Sequence, residues 1–106
     1  MANALINAPK TARPGDIIEI KALILHPMET GFRPGTNGRL IPRNIIEHFS
    51  ASWNGEEIFA MTFSPAIAAN PFVSFFTVAR ASGKIELRWT GDQDFRVEES
   101  VVIAVT

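Results

Sequence analysis

The chain of 106 residues contains no cysteine and only two histidines, His26 and His48. The absence of cysteine excludes disulfides, thiol catalysis and thiolate metal sites, and it is compatible with either an oxidising or a reducing compartment. Because few side chains suited to covalent chemistry are present, the sequence favours recognition over catalysis.

The chain also lacks an excess of one charge, since ten Lys and Arg residues face eleven Asp and Glu residues, for a net charge of −1. This balance leaves no electrostatic footprint for a polyanion, so nucleic acid is not an expected partner. Uninterrupted apolar stretches reach only about five residues, whereas about 20 are needed to cross a bilayer, so we expect a soluble protein with no membrane contact. Residues 1–6 lack a basic region and a sustained apolar run, and do not resemble a secretory signal.

Short runs rich in Ile, Val, Phe and Trp dominate the sequence and are separated by Gly, Pro, Asn and Asp clusters. Seven such runs predict seven strands and no amphipathic helix. The length suits one domain. We therefore expect an all-β protein, an immunoglobulin-like β-sandwich of about seven antiparallel strands spanning residues 1–106. The predicted strands are 4–8, 16–26, 44–54, 56–64, 72–81, 84–90 and 95–105.

Two dipeptides predict tight turns between these strands. Asn54-Gly55 predicts a two-residue hairpin, because Asn and Gly both tolerate positive φ. Ser82-Gly83 predicts a second hairpin. Asn70-Pro71 instead predicts an extended entry into the strand that begins at residue 72.

Three of the predicted strands carry apolar residues at consecutive positions, which places apolar side chains on both of their faces. Because the outer face of a two-layer sandwich is usually wet and polar, the pattern predicts a large permanent protein interface. The alternative is that central strands simply tolerate exposed Val and Ile. The doubled stretches lie at 17–18, 23–25, 72–73, 75–76 and 101–105.

A long segment rich in proline, glycine and arginine lies between His26 and Asn44. Loops of this length are usually binding elements or disordered, and the prolines favour one ordered shape. Arg33, Arg39 and Arg43 have the forked geometry that grips carboxylates or phosphates of a ligand or a partner. Solvated loop charges are the alternative.

The sequence His-Pro-Met-Glu-Thr-Gly at positions 26–31 opens this loop. His26 and Glu29 suit a base with an orienting carboxylate, but no serine lies in a nucleophile elbow, so no catalytic residue is expected. Together with Met28 and His48 they would make a mixed metal site suited to copper, which is the alternative function. The motif also resembles part of the iron-binding region of desulfoferrodoxin-type superoxide reductases, whose site needs several histidines and a cysteine that this chain lacks.

Further motifs stand in order over nearly the whole chain, at positions 14–21 (Pro-Gly-Asp-Ile-Ile-Glu-Ile-Lys), 26–31, 41–43 (Ile-Pro-Arg), 54–56 (Asn-Gly-Glu) and 69–72 (Ala-Asn-Pro-Phe). In this order and in a chain of this length, they resemble the SoxZ family. The resemblance implies a small all-β subunit that pairs tightly with SoxY in the sulfur-carrier complex of the thiosulfate-oxidising Sox system.

This resemblance implies that SoxY carries the sulfur intermediate on a cysteine near its C-terminal end and that the present chain contributes no thiol, no cofactor and no catalysis. It implies transient contact with SoxXA, SoxB and Sox(CD), and a periplasmic location reached together with SoxY, which carries the export signal. An isolated subunit with an exposed apolar patch is also expected to be able to form a homodimer.

The resemblance and the loop chemistry together suggest a partner-binding or docking loop next to SoxY. The alternative is that His26 and Glu29 satisfy loop backbone groups while Met28 packs inward, and that Asn70 caps the loop. Trp53 and Trp89 are expected in the core. The residues assigned to partner binding or docking are His26, Met28, Glu29, Arg33, Arg39, Arg43, Asn70 and Phe72.

Overall fold

The computed structural model describes residues 4–106, and within that range it contains eight strands and no helix. The predicted all-β class is confirmed. None of the described residues forms a helix long and apolar enough to cross a membrane. Residues 1–3, part of the stretch 1–6 that is not expected to be a secretory signal, lie outside the described residues. The strands are β1 (Ala4–Asn7), β2 (Thr11–Ala12), β3 (Ile17–Ile24), β4 (Ile46–Trp53), β5 (Glu56–Thr62), β6 (Phe72–Val78), β7 (Gly83–Gly91) and β8 (Arg96–Val105).

The strands form two sheets, one in the order β1-β3-β6 and the other in the order β2-β8-β7-β4-β5. Neighbouring strands are antiparallel except β2 and β8, which run parallel. The sequence pattern does not predict β2, because its two residues are too few to show a period. The architecture is the β-sandwich expected from the sequence, with eight strands in place of seven.

The core lies between the two sheets and is filled by alternate residues of the strands, which point inward. Trp89 of β7 is fully buried and packs against Phe49 of β4, with ring centroids 5.0 Å apart. Trp53 is buried as well, so both tryptophans are core aromatics as predicted. The inward residues of β3 are Ile18, Ile20, Ala22 and Ile24.

The two turn predictions have different outcomes. Asn54 and Gly55 both have positive φ and join β4 to β5, so the predicted hairpin is confirmed. The hairpin predicted at Ser82-Gly83 is wrong, because β6 and β7 lie in different sheets. Ser82 instead ties the start of β7 to the end of β8, since its Oγ accepts the Val105 N–H at 2.6 Å.

The strands with doubled apolar residues do not share one surface. β3 and β6 are neighbours in the three-stranded sheet, whereas β8 lies in the five-stranded sheet. Along residues 101–105, only Val102 is exposed. We expected the three strands with apolar residues at consecutive positions to form one patch. This expectation is wrong for β8, and only β3 and β6 share an apolar surface.

Candidate functional site

Residues 29–44 form a hairpin-like projection, which we call the arm. Glu29 and Asn44 pair at its base through two backbone hydrogen bonds of 2.8 Å each. Farther out, the Ile41 N–H donates to the Arg33 carbonyl at 2.9 Å. The long loop predicted from the sequence is thus a paired structure whose two sides are held together by backbone hydrogen bonds.

Gly31 allows the two sides of the arm to come close. Its φ is +89°, a conformation that favours glycine, and a Cβ at this position would lie 3.0 Å from Cβ of Arg43. A side chain here would therefore strain the backbone and press on the opposite side of the arm.

His26 lies at the base of the arm and is only 4% exposed. Its N–H donates to Oδ1 of Asn70 at 2.9 Å, and the Asn70 N–H donates back to the His26 carbonyl at 2.8 Å. The imidazole ring meets Phe95 edge to face, with centroids 4.6 Å apart. His26 therefore connects the end of β3 to the segment that precedes β6 and to the segment that precedes β8.

Met28 has an unusual backbone conformation and takes part in two hydrogen bonds at the base of the arm. Its φ is +50°, and its N–H donates to Nδ1 of His26 at 2.9 Å. Its side chain is buried, and its Sδ accepts the Ile46 N–H at 3.3 Å. His26 and Met28 thus satisfy backbone donors at the base of the arm and do not present their side chains to solvent.

The proton of the neutral His26 ring is fixed by this arrangement. Because Nδ1 accepts a hydrogen bond, the ring N–H is on Nε2. Nε2 and Oδ1 of Asn44 are both enclosed without a hydrogen-bond partner in the described residues. Burial lowers the pKa of His26 below its ordinary value of 6.5, although the Asn44 side chain and the charge of Asp92 act in the opposite direction.

Acid is expected to destabilise the fold through His26 as the pH falls below 6.5. In this pH range His26 binds a proton in the unfolded chain but stays neutral in the folded chain. The free energy of unfolding therefore falls as the pH drops from 6.5 to the lower pKa of His26 in the folded chain. Glu29, Asp92 and Glu98 also have lowered pKa values, but the stability that these carboxylates contribute is lost only near pH 4.5 or below. Urea unfolding at about pH 7.5 and about pH 5.5 should show the loss in the wild type and a smaller one in His26→Leu. Equal losses in both proteins would contradict this assignment.

Two of the three arm arginines are held by carboxylates. Arg33 bonds to Glu29 at 2.6 Å, and this hydrogen bond lowers the pKa of Glu29. Arg43 bonds to Asp92 at 2.7 Å, which lowers the pKa of Asp92 in the same way. Among residues 4–106, Arg39 has no ion-pair partner. Arg39 is therefore the arm arginine best placed to meet an outside carboxylate.

Some residues of this site carry no signal in the sequence. Phe32 and Leu40 are large exposed apolar side chains on the arm, but neither belongs to an apolar run longer than two residues, which would mark a strand or a patch in the sequence. Asp92 lies 49 residues from Arg43, and its role depends on the fold. The sequence reveals the motif at 26–31 but not the groups that complete its surroundings.

The residues assigned to docking occupy three positions. His26 and Met28 are buried at the base of the arm, and Asn70 bonds to His26 there. Phe72 is exposed on β6, in the outer face of the three-stranded sheet. The residues on the arm itself are Glu29, Arg33, Arg39 and Arg43.

The alternative copper site is not assembled. Nδ1 of His26 and Sδ of Met28 each accept a backbone N–H, and His48 is exposed on the outer face of β4. In the described part of the chain, no three His, Asp or Glu side chains are grouped so as to hold a metal ion. The geometry gives these residues a place in the structure of the arm base.

The fold places this chain in a class of β-sandwich proteins. Solved structures of superoxide reductases and of a sulfur carrier share this fold. The superoxide reductase (neelaredoxin) from Ignicoccus hospitalis has a TM-score of 0.73 at 15% identity, over 99% of this chain and 81% of that one. A putative superoxide reductase from Thermotoga maritima has a TM-score of 0.74 at 17% identity, over 97% and 85%. The sulfur carrier protein SoxY from Chlorobium limicola f thiosulfatophilum has a TM-score of 0.70 at 13% identity, over 100% and 81%. At these identities the likeness concerns the fold alone.

The family follows from the sequence match. Residues 6–102 match the family described as sulphur oxidation protein SoxZ, so the chain belongs to the SoxZ family. No curated protein matches the chain. Its role therefore lies in sulfur oxidation by the Sox system.

Proposed function

We propose that this chain is the non-catalytic partner of SoxY in a heterodimeric sulfur-carrier complex. In that complex, a cysteine of SoxY carries the sulfur intermediate of thiosulfate oxidation, and the present chain supports SoxY and helps present it to the Sox enzymes. The proposal includes a periplasmic location reached together with SoxY. The observation that carries it is the SoxZ family match over residues 6–102.

The chemistry of the chain supports a carrier subunit without catalysis. It has no cysteine that could hold sulfur itself. At the motif that stands out in the sequence, Nδ1 of His26 accepts the Met28 N–H and the Glu29 carboxylate is bonded to Arg33. The groups best suited to acid–base chemistry are therefore engaged in holding the arm.

We also propose that the arm contacts SoxXA, SoxB or Sox(CD) while the complex presents SoxY to these enzymes. Phe32, Leu40 and Arg39 are exposed on the arm, so apolar contact is combined with a positive charge that has no ion-pair partner within residues 4–106. A rim charge of this kind mainly changes association rates and their salt dependence. His26 and Met28 contribute to this contact indirectly, by fixing the base of the arm.

Removal of the Arg39 charge is expected to slow the use of the carrier by its enzymes. The assay is thiosulfate turnover by SoxXA, SoxB and Sox(CD) with the reconstituted carrier complex as the varied component. Arg39→Ala should lower kcat/KM about threefold or more at low salt, with a smaller effect at high salt. Arg88→Ala is the control, because Arg88 is exposed on β7 of the five-stranded sheet and does not belong to the arm.

The same assay tests the whole proposal. SoxY supplied without this chain should support much less turnover than the complex. Equal turnover with SoxY alone would contradict the carrier function. Unchanged turnover in both Arg39→Ala and Phe32→Ser, with the carrier requirement intact, would remove the enzyme contact from the arm and leave the pairing with SoxY standing.

A further inference from the structure

The outer face of the three-stranded sheet carries most of the exposed large apolar side chains outside the arm. We call it the β1-β3-β6 face. Strand pairing sets Leu5 beside Leu23 and Leu23 beside Phe72 at one end, and Ile17 beside Val78 at the other. Its apolar residues are Leu5, Ile17, Leu23, Phe72, Phe76 and Val78.

Three polar residues of this face, Glu19, Lys21 and Ser74, contact one another. Glu19 lies opposite Phe76, its carboxylate accepts the Ser74 hydroxyl at 2.6 Å, and Lys21 lies 3.7 Å from the same carboxylate. Glu19 and Lys21 cancel in charge. A partner that covers the face would bury a carboxylate and an ammonium that already contact each other, which costs less than burying either charge alone.

The apolar area of the face is close to what a stable dimer uses. Phe72 is 60% exposed, Phe76 66% and Ile17 74%, and a fully buried aromatic side chain covers roughly 150–250 Å². With Leu5 and Val78, the face offers on the order of 500 Å² of apolar surface, near the top of the range for monomers. A standard interface buries about 800 Å² per partner, of which about 60% is apolar. The apolar share of such an interface is therefore already present on this face.

The five-stranded sheet gives a contrast. Its outer face carries Ser50, Arg88 and Glu98 in one cross-strand row. Val102 is exposed to 72%, yet it lies opposite Lys84 and forms no comparable patch. An isolated exposed valine on a polar sheet needs no partner to explain it.

We propose that the β1-β3-β6 face is the surface that packs against SoxY. This inference rests on the proposed function and adds to it the side of the sandwich that is covered. The SoxY structure from Chlorobium limicola has the same fold, so the contact is between two similar sandwiches. On one side the face ends at β6, which is an edge strand of its sheet. The free edge of β6 pairs with no described strand.

Matched lysine substitutions test this surface. Ile17→Lys and Val102→Lys change exposed β-branched residues on strands of different sheets, with nearly equal exposure. Both variants should fold, as checked by circular dichroism and thermal unfolding. The dissociation constant for purified SoxY should rise at least tenfold for Ile17→Lys and stay within about twofold for Val102→Lys, because only the first places a charge in the proposed contact. Phe76→Lys is a second variant on the face and should behave like Ile17→Lys.

The outcomes separate the two proposals. If the wild-type chain does not bind SoxY, the proposed function fails and the surface assignment fails with it. If the wild type binds and both Ile17→Lys and Phe76→Lys bind equally well, the surface assignment is wrong while the function stands. A wild-type homodimer that uses this face and excludes SoxY would also overturn the assignment.

Discussion

Gly91→Ala is expected to lower the free energy of unfolding by about 3 kcal/mol or more, at the upper end of the usual range for point substitutions. A Cβ at Gly91 would lie 2.2 Å from the Ile45 carbonyl oxygen and 2.7 Å from Cα of Ile46. Both atoms are backbone, so a rotamer change cannot relieve the overlap. The clash falls where β4 and β7 pair with a register shift, directly after the arm.

The damage should extend to the base of the arm. The Asp92 N–H donates to the Ile45 carbonyl, and Oδ2 of Asp92 accepts the Ile45 N–H. Asp92 also holds Arg43. Displacement of Ile45 therefore loosens the link between the arm and β7.

Gly38→Ala is the control for this substitution. A Cβ there would meet none of the described residues within 4 Å, but the φ of Gly38 is +78°, so only the left-handed backbone should cost free energy, about 1–2 kcal/mol. Urea unfolding of the two variants measures the difference. A Gly91→Ala protein as stable as Gly38→Ala would show that the close approach of β4 and β7 is not required.

His26→Leu is expected to lower the free energy of unfolding by about 1–3 kcal/mol, because it leaves the buried Met28 N–H without an acceptor. Leucine keeps most of the side-chain volume, so the lost hydrogen bond is the main change. His26→Asn is the matched variant, since its Oδ1 can take the place of Nδ1 while the ring contact with Phe95 is lost.

The comparison of these two variants separates hydrogen bonding from packing. If the acceptor matters most, His26→Asn should retain more stability than His26→Leu, and the arm amides should exchange more slowly in His26→Asn. The opposite order would assign His26 to packing against Phe95, and its bond to Met28 would be secondary.

The sequence predicts the fold class because the strands carry clear local signals. β3 alternates buried and outward residues, and Asn54-Gly55 has the positive φ that its turn requires. The division of strands between sheets has no local signal. Ser82-Gly83 resembles a hairpin turn, yet Ser82 bonds to Val105 and accepts a hydrogen bond from the Asn54 amide, and these residues become neighbours only in the folded chain.

The candidate site shows the same limit. The motif at 26–31 marks the arm base, and the i to i+4 pair of Glu29 and Arg33 is local. The other contacts span long distances in the chain: Asn70 lies 44 residues from His26, and Asp92 lies 49 from Arg43. A single sequence gives no reason to choose these partners among other polar residues. The inward packing of His26 and Met28 likewise depends on the whole sandwich.

The most direct test of the carrier function is the mass of the complex formed with SoxY. The chain would be expressed alone and together with SoxY, and each sample would be analysed by size-exclusion chromatography with light-scattering detection. A stable one-to-one complex, with the thiol on SoxY alone, is the predicted result. A well-folded chain that elutes as the same monomer with and without SoxY would contradict the account.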